Sequence, residues 1–328
     1  MEKRSFARMG REVGVVGLGA WQLGADWGSV SEDDALATLA AAVDAGVTFI
    51  DTADAYGDGR SERLIARFLR SRPADEGLTV ATKMGRRVEQ TPEAYTAKNF
   101  LAWTDRSRAN LGMDTLDLVQ LHCPPTPVYA IDAVFDALDS LVDTKRIAAY
   151  GVSVERCDEA LAAIARPGVA SVQIVLNPLR HKPLEDVLPA AAEAGVGVIA
   201  RVPLASGLLS GRYDENTTFA EDDHRNYNRH GEAFDVGETF AGVDYATGLA
   251  AVRRLRDVVP PGATMAQFAL RWTIDQPGVT VVIPGARNPE QARANAAAAD
   301  VRPLSTEAQT TVTDVYNDLI RPQVHHRW

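Results

Sequence analysis

The chain predicts a closed (β/α)8 barrel, and three observations predict it. Eight short apolar or β-branched runs recur along the 328 residues, and amphipathic helical stretches lie between them. Seven of the runs begin about 25 to 40 residues apart, the spacing of a strand, a helix and two loops. The runs are continuously apolar rather than alternating, as in parallel strands buried on both faces. Eight such units at this length favour a closed barrel over an open doubly wound sheet. Residues 1–328 read as one domain.

The strand runs are Val15–Leu18, Val47–Ile50, Leu78–Thr82, Leu116–Leu121, Ile147–Val152, Ser171–Leu176, Gly197–Ala200 and Val279–Ile283. Ahead of the first, Ser5–Gly14 is expected to pair as a hairpin across the barrel floor. After it, Leu36, Leu39, Ala40 and Val43 make one helical stripe. Ser31 precedes that stripe with Asp34 three residues on, which reads as a capping box. Val134, Leu138 and Leu141 form another stripe. Phe268, Ala269 and Trp272 form a third, opened by Thr264 and Gln267. Val312, Val315, Tyr316 and Leu319 mark an extra C-terminal helix beyond the last unit. One interval breaks the rhythm: Val202 to Ala246, after the seventh strand, is a long polar loop. A loop of that length in a compact fold carries function or motion.

Composition narrows the function. Apolar residues are 46% and charged residues 24%, as in a globular protein, and the net charge is −10. That charge opposes binding to nucleic acid or an anionic membrane. No apolar run approaches the roughly 18 residues of a membrane span, and the opening residues do not read as a signal peptide. Cys123 and Cys157 make neither a disulfide framework nor a CxxC pair, which fits a reducing cytosol. The expectation is a cytoplasmic protein acting on a small molecule. Nothing in the sequence speaks to oligomeric state.

Barrel active sites gather where strands end and loops begin at the C-terminal face. Strand two ends in Asp51-Thr-Ala-Asp-Ala-Tyr56, strand three in Thr82-Lys83, and strand four in Leu121-His122. Asp51, Tyr56, Lys83 and His122 make chemical sense together. A free tyrosine, with a pKa of about 10, is a poor acid. A neighbouring Lys83 ammonium favours the phenolate and lowers that value, and Asp51 keeps a buried Lys83 charged. His122 can orient a carbonyl or relay a proton. The result is a tuned general acid beside a polarised carbonyl oxygen. None of the four supplies a hydride, so reduction needs a cofactor. The rival chemistry is a Schiff-base lyase using Lys83, which a nearby Asp51 opposes.

Other polar residues receive plainer readings. Asp54 is expected to serve loop hydrogen bonding, and Cys123 to be a buried inert thiol. His224 and His230 are expected in solvent, and His325 and His326 in a tail. No metal site is expected.

The ordered motifs resemble the aldo-keto reductases over essentially the whole chain. They are Gly17-Leu-Gly-Ala-Trp21, Asp51 to Gly57, Lys83, Leu121-His122, Gly151-Val-Ser153, Gln173, Pro203 to Gly211 and Ile283-Pro-Gly-Ala-Arg287. The resemblance implies a (β/α)8 barrel that reduces an aldehyde or ketone with NADPH, NADH being disfavoured. It implies Asp51, Tyr56, Lys83 and His122 as the catalytic tetrad, with Tyr56 as general acid. Ser153 and Gln173 would hold the nicotinamide carboxamide, and Trp21 and Asp51 would also contact the cofactor. Val154 stands where an Asn often follows that Ser. Arg201 takes the place of an aromatic that stacks on the ring, so a guanidinium would stack instead. Pro203, Leu204, Ser206, Gly207 and Leu209 would cover the pyrophosphate, and Gly285, Arg287, Gln291 and Asn295 would hold the adenosine end. Asn288 as cap and Pro289 in the first turn prepare a helix N-terminus for phosphate, and Arg287 can pair a 2′-phosphate. Ala294 replaces a common Glu there. The substrate pocket would be Trp21, Trp27, Tyr56, His122 and Tyr129. The resemblance also admits a nicotinamide-binding regulatory or sensor subunit with little turnover.

Overall fold

The computed structural model describes residues 1–24, 30–73 and 77–328. A two-stranded hairpin opens the chain. β1 (Lys3–Phe6) pairs antiparallel with β2 (Arg11–Gly14). Then follow β3 (Leu18–Gly19), α1 (Glu32–Asp44), β4 (Phe49–Asp51), α2 (Arg60–Leu69), β5 (Thr79–Met84) and α3 (Ala97–Leu111). Next come β6 (Leu118–His122), α4 (Asp132–Asp143), β7 (Tyr150–Ser153), α5 (Cys157–Ile164), β8 (Val169–Val175), α6 (Val187–Ala194) and β9 (Gly197–Arg201). The chain continues through α7 (His224–Tyr227), α8 (Tyr245–Leu255), α9 (Met265–Asp275), β10 (Val279–Val282), α10 (Pro289–Ala296), α11 (Thr306–Val315) and α12 (Arg321–Val324).

β3 to β10 form one eight-stranded sheet in sequential order, and each pair is parallel. The sheet curls until its edges meet. Gly17 N–H donates to Val282 O at 2.8 Å and Gly19 N–H to Pro284 O at 3.0 Å. The barrel is therefore closed, which leaves no edge strand to protect. All eight predicted runs supply its strands.

The hairpin seals the floor. Phe6 and Val13 are fully buried in a cluster with Phe49, Ala81, Leu118, Ile199 and Val281, which point into the barrel from below. Burying one such Phe contributes about 1.5–3 kcal/mol. The larger core lies between the strands and the ring of helices.

The predicted caps form. Ser31 accepts from Asp34 N–H, but the Asp34 carboxylate accepts from the Ser31 hydroxyl, so only half of the capping box is made. Aspartate is one methylene too short to reach the cap's own backbone N–H in the usual way. Thr264 and Gln267 make the full reciprocal box, and Asn288 caps α10 with Pro289 behind it.

The long Val202–Ala246 interval is folded. It contains a 3-10 turn at Ala205–Ser210, the short α7 and two further 3-10 turns. Trp328 pins its far end. The indole lies under the Arg180 guanidinium, 3.2 Å from the ring centroid, and its N–H donates to Asp235 at 3.1 Å. The expected tail is thus part of the structure. His325 Nδ1 lies 2.9 Å from the Tyr316 hydroxyl and its Nε2 3.2 Å from Glu185. No helix among the described residues is long and apolar enough to cross a membrane.

Candidate active site

The tetrad assembles because its members end adjacent parallel strands. Asp51 closes β4, Lys83 lies near the end of β5, and His122 closes β6. The β4 segment continues over the mouth, with Asp54 N–H donating to Lys83 O at 3.0 Å and Tyr56 N–H to Ala53 O at 3.2 Å. Gly57 then takes a left-handed φ of +59°, and a Cβ there would collide with the Gly24 carbonyl. That close approach is what turns Tyr56 back over Lys83.

Lys83 Nζ donates to Asp51 Oδ1 at 2.5 Å, to Thr52 O at 2.9 Å and to the Tyr56 hydroxyl at 3.3 Å. Asp51 Oδ2 accepts from Gln173 at 2.7 Å and from Gln120 at 3.3 Å. The His122 ring lies 5.9 Å from that of Tyr56, edge to face. Burial pushes the Lys83 pKa down, but Asp51 and Tyr56 more than offset it and hold the amine charged. For Tyr56 the balance differs from expectation. Burial raises its pKa, Lys83 lowers it, and the net direction is up. The phenol is therefore held protonated, as a proton donor must be. Burial, then Arg86, Lys83 and Arg201, hold His122 well below its ordinary value. It is a neutral imidazole whose Nδ1 has no hydrogen-bond partner among the described residues.

Arg201 is the main departure from expectation. Its guanidinium donates to Glu155 at 2.7 Å and to Val154 O at 3.0 Å, and meets Glu238 at 2.8 Å. Arg86 joins the same two carboxylates, at 3.0 Å to Glu155 and 3.8 Å to Glu238. Arg201 is thus fixed by ion pairs in this structure rather than free to stack. Arg86, Glu155 and Glu238 escaped the sequence reading. The first two follow Lys83 and Ser153 by two or three residues, so extending each strand end by one turn finds them. Glu238 lies in the long loop and has no such signal. Cys123 lies against this cluster, 3.5 Å from the Ser153 hydroxyl, and burial pushes its thiol up to about 12. It is the inert thiol expected. Cys123, Glu155 and Glu238 bring ligand-type atoms within 4.8 Å of one another, but both carboxylates are engaged by guanidiniums.

Cys123 and Val202, each following a strand-end site residue, have φ of +49° and +52°. A β-branched residue at positive φ is strained, and such strain gathers at functional sites.

The other predicted residues spread along one groove. Trp21 stacks on Tyr56 at 6.0 Å between ring centroids. Ser153 ends β7 and Gln173 lies in β8, where it binds Asp51. Pro203, Leu204, Ser206, Gly207 and Leu209 lie in and before the turn at Ala205–Ser210. Gly285 bridges to Gly19, and its carbonyl accepts from Asn295 at 3.1 Å. Arg287, Asn288 and Gln291 line a pocket of about 300 Å³ with Val30 and Asp34. Tyr129 is buried, its hydroxyl without a hydrogen-bond partner among the described residues, and Trp27 lies outside the described residues. His224 is not in solvent. It is fully buried, packs on Trp21 at 5.3 Å, and burial lowers its pKa to about 4.

Asp54 also departs from expectation. It is fully buried, and neither carboxylate oxygen has a hydrogen-bond partner among the described residues. Burial, then Glu62, raises its pKa from 3.8 to about 7 against Arg87 and Arg106. The folded state therefore favours the protonated acid. Its contribution is fully present below pH 3.8 and lost as pH rises through about 7. Asp54→Asn should stabilise the protein at pH 8, by about 4 kcal/mol at most, and make little difference at pH 4. Denaturant unfolding at the two pH values checks this.

Fold and site together define a barrel protein with a proton-holding tyrosine at its mouth. The chain belongs to the Aldo/keto reductase family, whose model matches residues 15–317. An uncharacterized oxidoreductase of Mycobacterium tuberculosis is 34% identical, covering 92% of this chain and 89% of that one. A Schizosaccharomyces pombe aldo-keto reductase described as acting with NADP(+) is 27% identical, with 88% and 85% covered. A solved glycerol dehydrogenase of Gluconobacter oxydans superposes with a TM-score of 0.79 at 27% identity, with 98% and 96% covered.

Proposed function

We propose that this protein reduces an aldehyde or ketone to an alcohol with NADPH, Tyr56 supplying the proton. One observation carries the reading: a buried Lys83 bridges Asp51 and the Tyr56 hydroxyl, at 2.5 and 3.3 Å. That geometry fits proton donation at a carbonyl oxygen and opposes the lyase reading, because Asp51 keeps the amine protonated and un-nucleophilic.

The described residues fit the nucleotide. The capped α10 N-terminus beside Arg287 suits an adenosine phosphate. The left-handed Ser206–Gly207 turn offers backbone close to a pyrophosphate. The S. pombe relative's description supports the choice of NADP(H). When bound, the nucleotide supplies hydride from nicotinamide C4.

The chain's own residues do the rest. Neutral His122 donates one N–H to the carbonyl oxygen and holds it toward Tyr56. Tyr56 gives its proton to that oxygen as negative charge develops there. Lys83 then stabilises the phenolate left behind, and Asp51, itself held by Gln173 and Gln120, keeps Lys83 in place. Trp21 and Phe234, with ring centroids 5.9 Å apart, would wall the substrate side. Such proton transfer typically contributes 10²- to 10⁴-fold.

Titration with NADPH and with NADH, followed by tryptophan fluorescence, tests this beside NADPH consumption over a panel of aldehydes and ketones. Tighter binding of NADPH, with turnover, is expected. Binding of neither nucleotide would overturn the cofactor assignment. Tight binding with no turnover on any carbonyl would favour the sensor.

A further inference from the structure

The pocket at the adenosine end carries a carboxylate where a phosphate is expected. α1 and α10 each follow a barrel strand and pack side by side, so both N-termini open at the same face of the barrel. The pocket of about 300 Å³ lies between them. Val30 and Asp34 line it from the α1 side, and Arg287, Asn288 and Gln291 from the α10 side. It therefore holds one cation and one anion. Among the described residues no carboxylate pairs with the Arg287 guanidinium and no cation pairs with Asp34.

The Asp34 carboxylate is fixed. Ser31 Oγ donates to its Oδ2 at 2.7 Å, and Asp34 N–H donates back to Ser31 Oγ at 3.1 Å. Its neighbour Glu32 is engaged elsewhere, by Arg67 at 2.9 Å. The α10 terminus is less open to an anion than its dipole alone implies. Arg287 N–H already donates to Gln291 Oε1 at 2.9 Å, and Gln291 N–H to Asn288 Oδ1 at 2.9 Å. Pro289 has no N–H to offer. A phosphate in this pocket leans on the Arg287 guanidinium with Asp34 on its other side.

We infer that Asp34 is a specificity-determining residue for the nucleotide, and that it narrows the margin by which NADPH is preferred to NADH. The two nucleotides differ only at the ribose 2′ position. A phosphate monoester carries about −1.5 to −2 charges near pH 7, and its repulsion by Asp34 opposes its attraction to Arg287. A 2′-hydroxyl brings no charge and can donate to a carboxylate, as it does to the acidic residue of dinucleotide sites in doubly wound folds. The inference rests on the nucleotide reading above, and its test separates the two.

The test is titration of the full chain with NADPH and with NADH, read by tryptophan fluorescence at low and at high NaCl. Asp34→Asn removes the charge and keeps an acceptor for Ser31. It is expected to raise the ratio of NADPH to NADH affinity by at least about threefold, the scale of one partly exposed charge acting on another. Asp34→Lys should raise it further, and both shifts should shrink at high NaCl. Arg287→Gln should lower the ratio, which locates the 2′-phosphate in this pocket. A ratio that neither Asp34 variant moves, or that Arg287→Gln leaves unchanged, overturns the inference while NADPH binding stands. If the wild-type protein binds neither nucleotide, the nucleotide reading falls. Calorimetric binding of adenosine 2′,5′-bisphosphate and of 5′-AMP then decides the pocket alone. Tighter bisphosphate binding in Asp34→Asn, with 5′-AMP unmoved or weakened, upholds the role of Asp34. Equal bisphosphate binding in the two proteins, or none in either, overturns it.

Discussion

Tyr56→Phe is expected to lower turnover by about 10²- to 10⁴-fold while NADPH still binds. The change removes one oxygen and keeps the ring. The stack of Trp21 on that ring, with centroids 6.0 Å apart, survives. Lys83 keeps its bonds to Asp51 and Thr52, so its charge stays neutralised and the fold is not taxed. What disappears is the hydroxyl that Lys83 Nζ contacts at the mouth, and with it the proton donor. Steady-state turnover beside a fluorescence titration with NADPH checks the separation. Full turnover in the variant would remove Tyr56 as the acid.

Lys83→Met is expected to cost both turnover and stability. The side chain is 1% exposed and Asp51 3% exposed, so removing the amine strands a carboxylate in the interior. Breaking a buried pair in this way costs about 3–5 kcal/mol. The partners that remain to Asp51 are the amide groups of Gln173 and Gln120, and these only partly offset it. Adding Asp51→Asn to Lys83→Met removes the uncompensated charge. The double variant should therefore regain most of the lost stability and none of the activity. Urea unfolding and kcat on the three variants separate the two effects. Equal stability of Lys83→Met and the double variant would mean that the pair does not hold the site as described.

These two predictions also mark what sequence patterning reveals. The barrel was legible because parallel strands buried on both faces leave continuous apolar runs, and because β–loop–α spacing repeats. The tetrad was legible for a related reason: Asp51, Lys83 and His122 each stand where an apolar run meets polar residues, and barrel topology sends all such ends to one mouth. The hairpin over Ser5–Gly14 was expected across the floor, and the structure shows Phe6 and Val13 as the side chains that seal it. The Arg86–Glu155–Arg201–Glu238 cluster was not legible as a unit. Its charges come from three strand ends and one loop, and ion pairing over such separations leaves no periodicity. His224 was misread for the same reason. Its neighbours Asp222, Asp223 and Arg225 make the segment look solvated, and only the tertiary path of the loop carries the imidazole onto Trp21. The positive φ at Cys123 and Val202 had no glycine to announce it. Asp54 followed a reasonable rule, that loop carboxylates find partners, and here burial prevailed over satisfaction.

The family and the fold account for why a proton donor stands at the barrel mouth, and the charge cluster accounts for what surrounds it. The central claim is that this donor serves carbonyl reduction by NADPH. The most direct measurement is the NADPH-consumption assay carried through to product with nucleotide deuterated at nicotinamide C4. The account predicts one deuterium on the carbinol carbon of the alcohol, formed at the rate at which NADPH is consumed and slowed by about 10²- to 10⁴-fold in Tyr56→Phe. NADPH consumption with no label in the alcohol, or undiminished labelled product from Tyr56→Phe, would contradict it.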